Sequence, residues 1–200
     1  MFEPNLLKSD TFICFLLFSN SYSSVDSISA SKSEPIQNRK YAVGDEAHGG
    51  VIIYLDTTGE HGIVCSMRDV LSKGNIEQYG GCLSETISGA RSTAIGTGDE
   101  NTKDIVEACT KGDSAADACR SLKVSGYSDW YLPSKGELNK IYKIKKKGKL
   151  HLKKSGYWSS TGTGNGNARV QNFGMGFQFV SSKYGSHREG GKEILAIQYM

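Results

Sequence analysis

The sequence predicts an α+β domain with an antiparallel sheet, two or three short helices and long Gly/Ser-rich loops. Apolar runs typical of strands lie near both ends of the domain, and helical patterns with capping signals lie between them. Strands and helices in separate runs indicate α+β, not the alternating order of a parallel sheet. The 24 glycines among 200 residues exceed the usual share of about 7% and predict many loops.

The N-terminus predicts a secretory signal peptide over residues 1–23. Residues 11–18 (TFICFLLF) are the most apolar short run in the chain, and small polar residues follow them, as in a signal peptide before its cleavage site. Glu3 and Asp10 outnumber Lys8 in the first ten residues, whereas signal peptides begin with a positive excess. An apolar first strand or a frayed terminus is therefore the alternative.

The rest of the chain predicts one domain after a linker. Residues 24–40 are polar and lack periodicity, so they are interpreted as a linker, and residues 41–200 as the domain. No stretch approaches the roughly 20 apolar residues of a membrane-spanning helix. The predicted signal peptide indicates that the protein is secreted or displayed at the cell surface.

Two strands joined by a tight turn are predicted at the start of the domain. Residues 51–55 (VIIYL) and 62–67 (GIVCSM) are apolar runs that flank a turn-forming DTTG sequence. Residues 72–98 are rich in Gly, Ser and Thr and predict a looped excursion. Four later runs predict further strands: residues 157–160, 168–173, 176–180 and 194–199.

Two short helices are predicted in the middle of the chain. Asn101 or Thr102 is a suitable cap for a helix that ends at Cys109. The S-x-x-D sequence that begins at Ser114 is a weak capping box for a second helix that ends at Leu122.

A third helix and the centre of the core are predicted further along the chain. Ser134 and Glu137 form a stronger capping box directly after a proline, and apolar residues follow at helical spacing. Aromatic residues in strand-like runs belong to the core more often than to a sugar-stacking surface. The residues predicted at the centre of packing are Trp130, Leu132, Leu138 and Trp158.

The cysteines are compatible with two disulfides in an exported domain. Removal of a signal peptide leaves four of the 5 cysteines. A turn-like break separates Cys109 from Cys119, so this pair is favoured, with Cys65–Cys82 next. Buried thiols are the alternative. No spacing is C-x-x-C, which argues against a zinc site or a thioredoxin-like motif.

Several segments resemble the Lcl C-terminal domain family, first named for a bacterial collagen-like adhesin. They are YAVGD at 41–45, GGVIIYLDTTGEHG at 49–62, IGTGDENT at 95–102, GYSDWYLPSKGEL at 126–138 and YWSST at 157–161. The resemblance covers about residues 41–200. It implies a C-type-lectin-like fold, a secreted or surface location and non-catalytic binding, since no catalytic residues are established for the family. Some members bind sulfated glycosaminoglycans.

Two features depart from the family pattern. Members often end in an Arg-containing strand, whereas residues 194–200 read ILAIQYM. The collagen-like repeats of the namesake are absent, so trimerisation that depends on them is not implied. Homo-oligomerisation is left open.

One segment carries the positive excess of the chain. Residues 135–154 hold nine lysines and one acid, a charge of +8, so with a net charge of +3 the remainder carries −5. Such a cluster attracts polyanions, and salt weakens the attraction. The predicted polyanion-binding residues are Lys140, Lys143, Lys145, Lys146, Lys147, Lys149, Lys153 and Lys154. The alternative is a solvated loop whose lysines only aid solubility.

Other kinds of site are weakly indicated. Asp99, Glu100, Asn101 and Asp104 lie close together, but the calcium-loop pattern is missing, so no metal or other cofactor is expected. His61 and Cys65 would lie some 13 Å apart on one strand face, too far for a catalytic pair. No nucleic-acid motif is present.

These observations predict a non-catalytic, adhesin-like binding module for sulfated or anionic glycans. A scaffold that holds a host or cell-surface protein in loops around residues 161–167 and 181–191 is the alternative. Enzymatic activity ranks last because no acid, base and nucleophile converge in the sequence.

Overall fold

A computed structural model describes residues 40–70, 87–110, 114–164, 166–183 and 192–200. All of them belong to one compact unit, Gln37–Met200. The predicted signal peptide and all but the last residue of the predicted linker lie outside the described residues.

The first antiparallel sheet joins the start of the domain to residues near position 200. Its strands are β1 (Glu46–Ala47), β2 (Gly50–Leu55), β3 (Gly62–Ser66) and β7 (Ile197–Tyr199), in the order β1-β2-β3-β7. Strands β2 and β3 form the predicted hairpin, with Val51 opposite Cys65. Strand β7 pairs with β3 along its other edge. Consecutive β-branched residues favour strands in β2 and β3, and both faces are buried along β3 and along the first four residues of β2.

The second antiparallel sheet has the order β4-β5-β6. Its strands are β4 (Gly156–Gly164), β5 (Asn167–Asn172) and β6 (Gln178–Ser182). The sequence predicted strands near these positions in one sheet, whereas the strands of the described residues form two sheets. Residues 194–196 lack ladder pairing, although Ala196 and Ile194 accept hydrogen bonds from Ser66 and Val70.

Three helices of the described segments lie between β3 and β4 in the chain. They are α1 (Gly98–Ala108), α2 (Ala115–Arg120) and α3 (Lys135–Lys146). Both predicted capping boxes are present, at Ser114 with Asp117 and at Ser134 with Glu137.

The predicted cap of helix α1 is wrong. The N-cap is Thr97, which makes no side-chain capping bond. Asn101 and Thr102 instead lie buried inside the helix: Asn101 donates to the Ser92 carbonyl (2.8 Å), and Thr102 accepts from the Leu132 amide (3.0 Å). Their polar side chains therefore join α1 to the neighbouring loops.

Two adjoining hydrophobic clusters form most of the core. Tyr131, Leu138 and Ile141 belong to one that packs helix α3 on the first sheet. Trp130, Leu132 and Trp158 belong to the other, which lies against the second sheet. Trp130, Leu132 and Leu138 are 0% exposed and Trp158 is 3% exposed. The core thus buries Trp130 and Leu132, which lie in the segment that leads into helix α3.

Candidate polyanion-binding surface and adjoining cleft

The first turn of helix α3 contains a fully buried acid, Glu137. The Glu137 carboxylate accepts hydrogen bonds from the amides of Ser134 (2.7 Å) and Gly96 (2.8 Å). Burial raises the pKa of Glu137, while these amide donors act in the opposite direction. The acid therefore fixes the start of the helix and the Gly96 loop together.

The helical period turns four lysines away from the core. Leu138, Ile141 and Ile144 are buried on the inner side of α3. The outward positions carry Lys140, Lys143, Lys146 and Lys147, called here the lysine face; Lys140 is half-buried and the other three are exposed. Lys146 and Lys147 follow Lys143 by three and four residues, so the three side chains are neighbours on one surface. The ion pairs found between described residues include none of the four.

Two other predicted lysines bind groups of the protein itself, Lys145 at a half-buried position and Lys153 at an exposed one. The Lys145 ammonium donates to the Phe173 carbonyl (3.1 Å). Lys153 pairs with Glu193 (2.9 Å) and Asp69 (3.4 Å), and the hydrogen bond to Glu193 is the main cause of its raised pKa. Asp69 also accepts a hydrogen bond from Tyr157 (2.7 Å). These contacts compete with any external anion.

The last two predicted lysines lie apart from each other. The stem of Lys149 packs over Gly44, and that of Lys154 lies against Gly174. Both side chains are exposed. The eight predicted residues therefore do not form one uniform patch, and the lysine face is their most contiguous part.

A cleft of about 400 Å³ lies beside this surface. The β2–β3 hairpin contributes Tyr54, Asp56 and His61 to its lining, and the other side includes Ile95 and Tyr199. The Lys140 ammonium lies 5.9 Å from the centre of the Tyr54 ring, within cation–π range. Tyr54 thus belongs to the cleft and also contacts the lysine face.

Hydrogen bonds hold the far wall of the cleft in place. The Tyr199 hydroxyl donates to the Gly96 carbonyl (2.8 Å), and the Gly96 amide donates to Glu137. Gly96 has φ +87°, a left-handed conformation that disfavours other residues. Tyr131 packs under Tyr199 with ring centres 5.2 Å apart. Burial raises the pKa of Tyr131, and the nearby Glu137 charge acts in the same direction.

The cysteines differ from their predicted pairing. Cys65 and Cys119 are free and buried, so Cys109–Cys119 and Cys65–Cys82 are both wrong. Strand β3 and helix α2 hold these two thiols in the core, where they donate to the Ser66 and Leu195 carbonyls. Burial raises the pKa of both. Cys109 is disulfide-bonded, and its partner lies outside the described residues.

A buried lysine was missed by the sequence analysis. Lys183 is 4% exposed and lines a cavity of about 10 Å³ with Ser160 and Ile105. Burial lowers the pKa of its ammonium. Its neighbours Ser181 and Ser182 are polar, so nothing in the local sequence signals this burial.

The acidic loop considered for calcium serves other contacts. Asp99 pairs with Arg120 (2.5 Å), and Asn101 bonds to Ser92. Within the described ranges, no group of three or more His, Cys, Asp or Glu side chains is arranged to hold a metal ion.

Comparison of the chain with protein-family models gives no match. Comparison with curated proteins gives none either. Among the helices of the described segments, none combines the length and apolar character needed to cross a bilayer.

Proposed function

We propose that this chain is an exported, C-type-lectin-like binding module, similar to the Lcl C-terminal domain, that attaches to sulfated or anionic glycans. The observation that carries the proposal is the lysine face, four neighbouring cations on helix α3 and its C-cap residue. Lysine ammonium groups act as point charges, which suits repeated sulfate groups better than one ligand of fixed geometry. A non-catalytic role agrees with the chemistry of this surface, which offers charge and no activated nucleophile.

The fold and one cysteine support the finer parts of the proposal. A C-type-lectin-like domain pairs its first and last strands, and here β7 joins the sheet of the early hairpin. The disulfide at Cys109 suits an oxidising compartment such as the cell exterior.

The proposal is tested by measuring affinity for heparin with matched charge variants. Replacing Lys143, Lys146 and Lys147 together with Ala removes three charges from the lysine face. We expect a loss of affinity of about 10- to 100-fold at moderate salt, since a lysine near an anionic surface contributes roughly 1 kcal/mol. The loss should shrink as salt is added.

The matched control removes the same charge elsewhere. Lys40, Lys103 and Lys123 are also exposed, and their combined replacement with Ala gives the same net charge. The control should bind heparin nearly as well as the wild type. Equal losses in the two variants would mean that net charge alone governs binding, and the proposed site would be rejected.

A protein-binding scaffold is a second candidate function. The turn between β5 and β6 and strand β6 itself expose large apolar side chains: Met175 is 79%, Phe177 50% and Val180 46% exposed. Neighbouring exposed apolar residues are typical of interaction surfaces. Capture of a surface protein that survives high salt and is lost in Met175→Ser/Phe177→Ser would favour this function over glycan attachment.

A further inference from the structure

We propose that the cleft between the β2–β3 hairpin and Tyr199 binds one sugar ring of the anionic glycan, with its acidic substituent directed toward Lys140. This inference rests on the proposed function and adds a specific subsite to it. The lysine face would supply attraction along the polymer, and the cleft would recognise a sugar unit.

The size and lining of the cleft suit a sugar ring. Its volume of about 400 Å³ lies within the 300–1,000 Å³ typical of small-molecule sites. Tyr54 and Tyr199 offer aromatic surface to the apolar face of a sugar, and Tyr199 is 45% exposed. Tyrosine combines this flat apolar ring with a polar tip, as a ring that carries hydroxyl groups requires.

The charges at the cleft determine the orientation of the ring. Hydrogen bonding from the Thr58 hydroxyl, the largest cause, lowers the pKa of Asp56. Its carboxylate accepts hydrogen bonds from sugar hydroxyls and repels sulfate. The positive charge next to the cleft is the Lys140 ammonium, which lies 5.9 Å from the centre of the Tyr54 ring. A sulfated ring is therefore oriented with hydroxyls toward Asp56 and the anionic group toward Lys140.

The cleft is also pre-organised. Gly96 is fixed by bonds from its amide to Glu137 and from Tyr199 to its carbonyl. On the hairpin side, Asp56 accepts hydrogen bonds from the Thr58 hydroxyl and the Gly59 amide (2.9 Å). Walls that are already ordered lose little conformational entropy on binding, so a modest contact area suffices for a weak ring site.

The first test is an NMR titration of the wild-type protein with a heparin tetrasaccharide, and in parallel with inorganic sulfate. We expect the tetrasaccharide to shift backbone amides of both the lysine face and the cleft, at His61 and Tyr199 above all. Sulfate should shift the lysine face alone, because it has no ring to stack.

The possible outcomes separate the inference from the proposed function. Tetrasaccharide shifts confined to the lysine face would overturn the cleft as a subsite and leave glycan attachment intact. The absence of shifts on the lysine face as well would overturn both. Cleft shifts with sulfate equal to those with the tetrasaccharide would show an anion site without ring recognition and would also overturn the inference.

A matched pair of variants gives an independent test. Tyr199→Ala should weaken tetrasaccharide binding about 5- to 10-fold, the scale of one lost aromatic contact of about 1 kcal/mol. Tyr127→Ala is the control, since Tyr127 is a partly exposed tyrosine (36%) that does not line the cleft. Equal affinities of the two variants, with melting temperatures near that of the wild type, would contradict the inference.

Discussion

The first and last turns of helix α3 carry opposite charges and place them in opposite environments. Glu137 in the first turn is 0% exposed and surrounded by amide donors. The last turn presents Lys143 and Lys146 to solvent. One buried charge organises the structure, while several exposed charges are free to act on a partner. Whether a charged residue of this helix stabilises the fold or faces a partner therefore depends on its burial and not on the number of charges.

Removal of the buried acid should have the largest effect on stability. Glu137→Ala leaves the Ser134 and Gly96 amides without their acceptor and opens space at the helix start. Hydrogen bonds to charged groups contribute roughly 1.5–3 kcal/mol, so we expect a loss of about 2–3 kcal/mol in the free energy of unfolding, measured with urea. A loss below about 0.5 kcal/mol would show that Glu137 is not structural.

The pH dependence of stability gives a second test at the same residue. Burial raises the pKa of Glu137 in the folded state above its ordinary value near 4.5. Between that value and the higher folded-state pKa, the folded protein binds more protons than the unfolded chain, so lowering the pH through this window adds stability. Ionisation above the folded-state pKa removes that added stability.

The matched variant for this test is Glu137→Gln, which retains a capping side chain but does not titrate. We expect the stability of the wild type relative to this variant to increase as pH falls from 7 toward 4.5. Urea unfolding of both proteins across this range measures the difference. A difference that stays constant would contradict the raised pKa.

The lysine face provides the smallest expected effect on stability. Replacing Lys143, Lys146 and Lys147 with Ala removes favourable interactions with the helix dipole, each worth about 0.3–1 kcal/mol at low salt. It also removes repulsion between neighbouring like charges. These effects oppose each other, so we expect a net change below about 1 kcal/mol. Calorimetry that shows a loss above 2 kcal/mol would assign these lysines to the fold instead.

Local signals in the sequence were sufficient to predict helix α3 and the first hairpin. A capping box operates within four residues, and a two-strand hairpin within about twenty, so both leave a readable pattern. The N-cap at Thr97 could not be predicted, because Asn101 bonds to Ser92 and Ser160, the latter 59 positions away. A good capping residue was used for a long-range contact instead.

The same limit applies to the candidate site. The lysine-rich segment was evident from composition. The ion pairs of Lys153 with Glu193 and Asp69 were not, because they form only when distant parts of the chain fold together. The cleft combines Tyr54, Ile95 and Tyr199, which belong to three distant segments without a shared motif. The cysteine pairing failed for a related reason, since sequence spacing does not reveal that Cys65 and Cys119 are each buried in the core as free thiols.

The position of β7 has a consequence for how the domain forms. Ser66 and Ala196 are hydrogen-bonded across 130 residues of chain, and Ile197 pairs next to them. Contacts between such distant residues require a large loop to close before they add any stability, which slows folding. The β2–β3 hairpin can form before β7 pairs with it, and we expect this pairing of β7 to limit the folding rate.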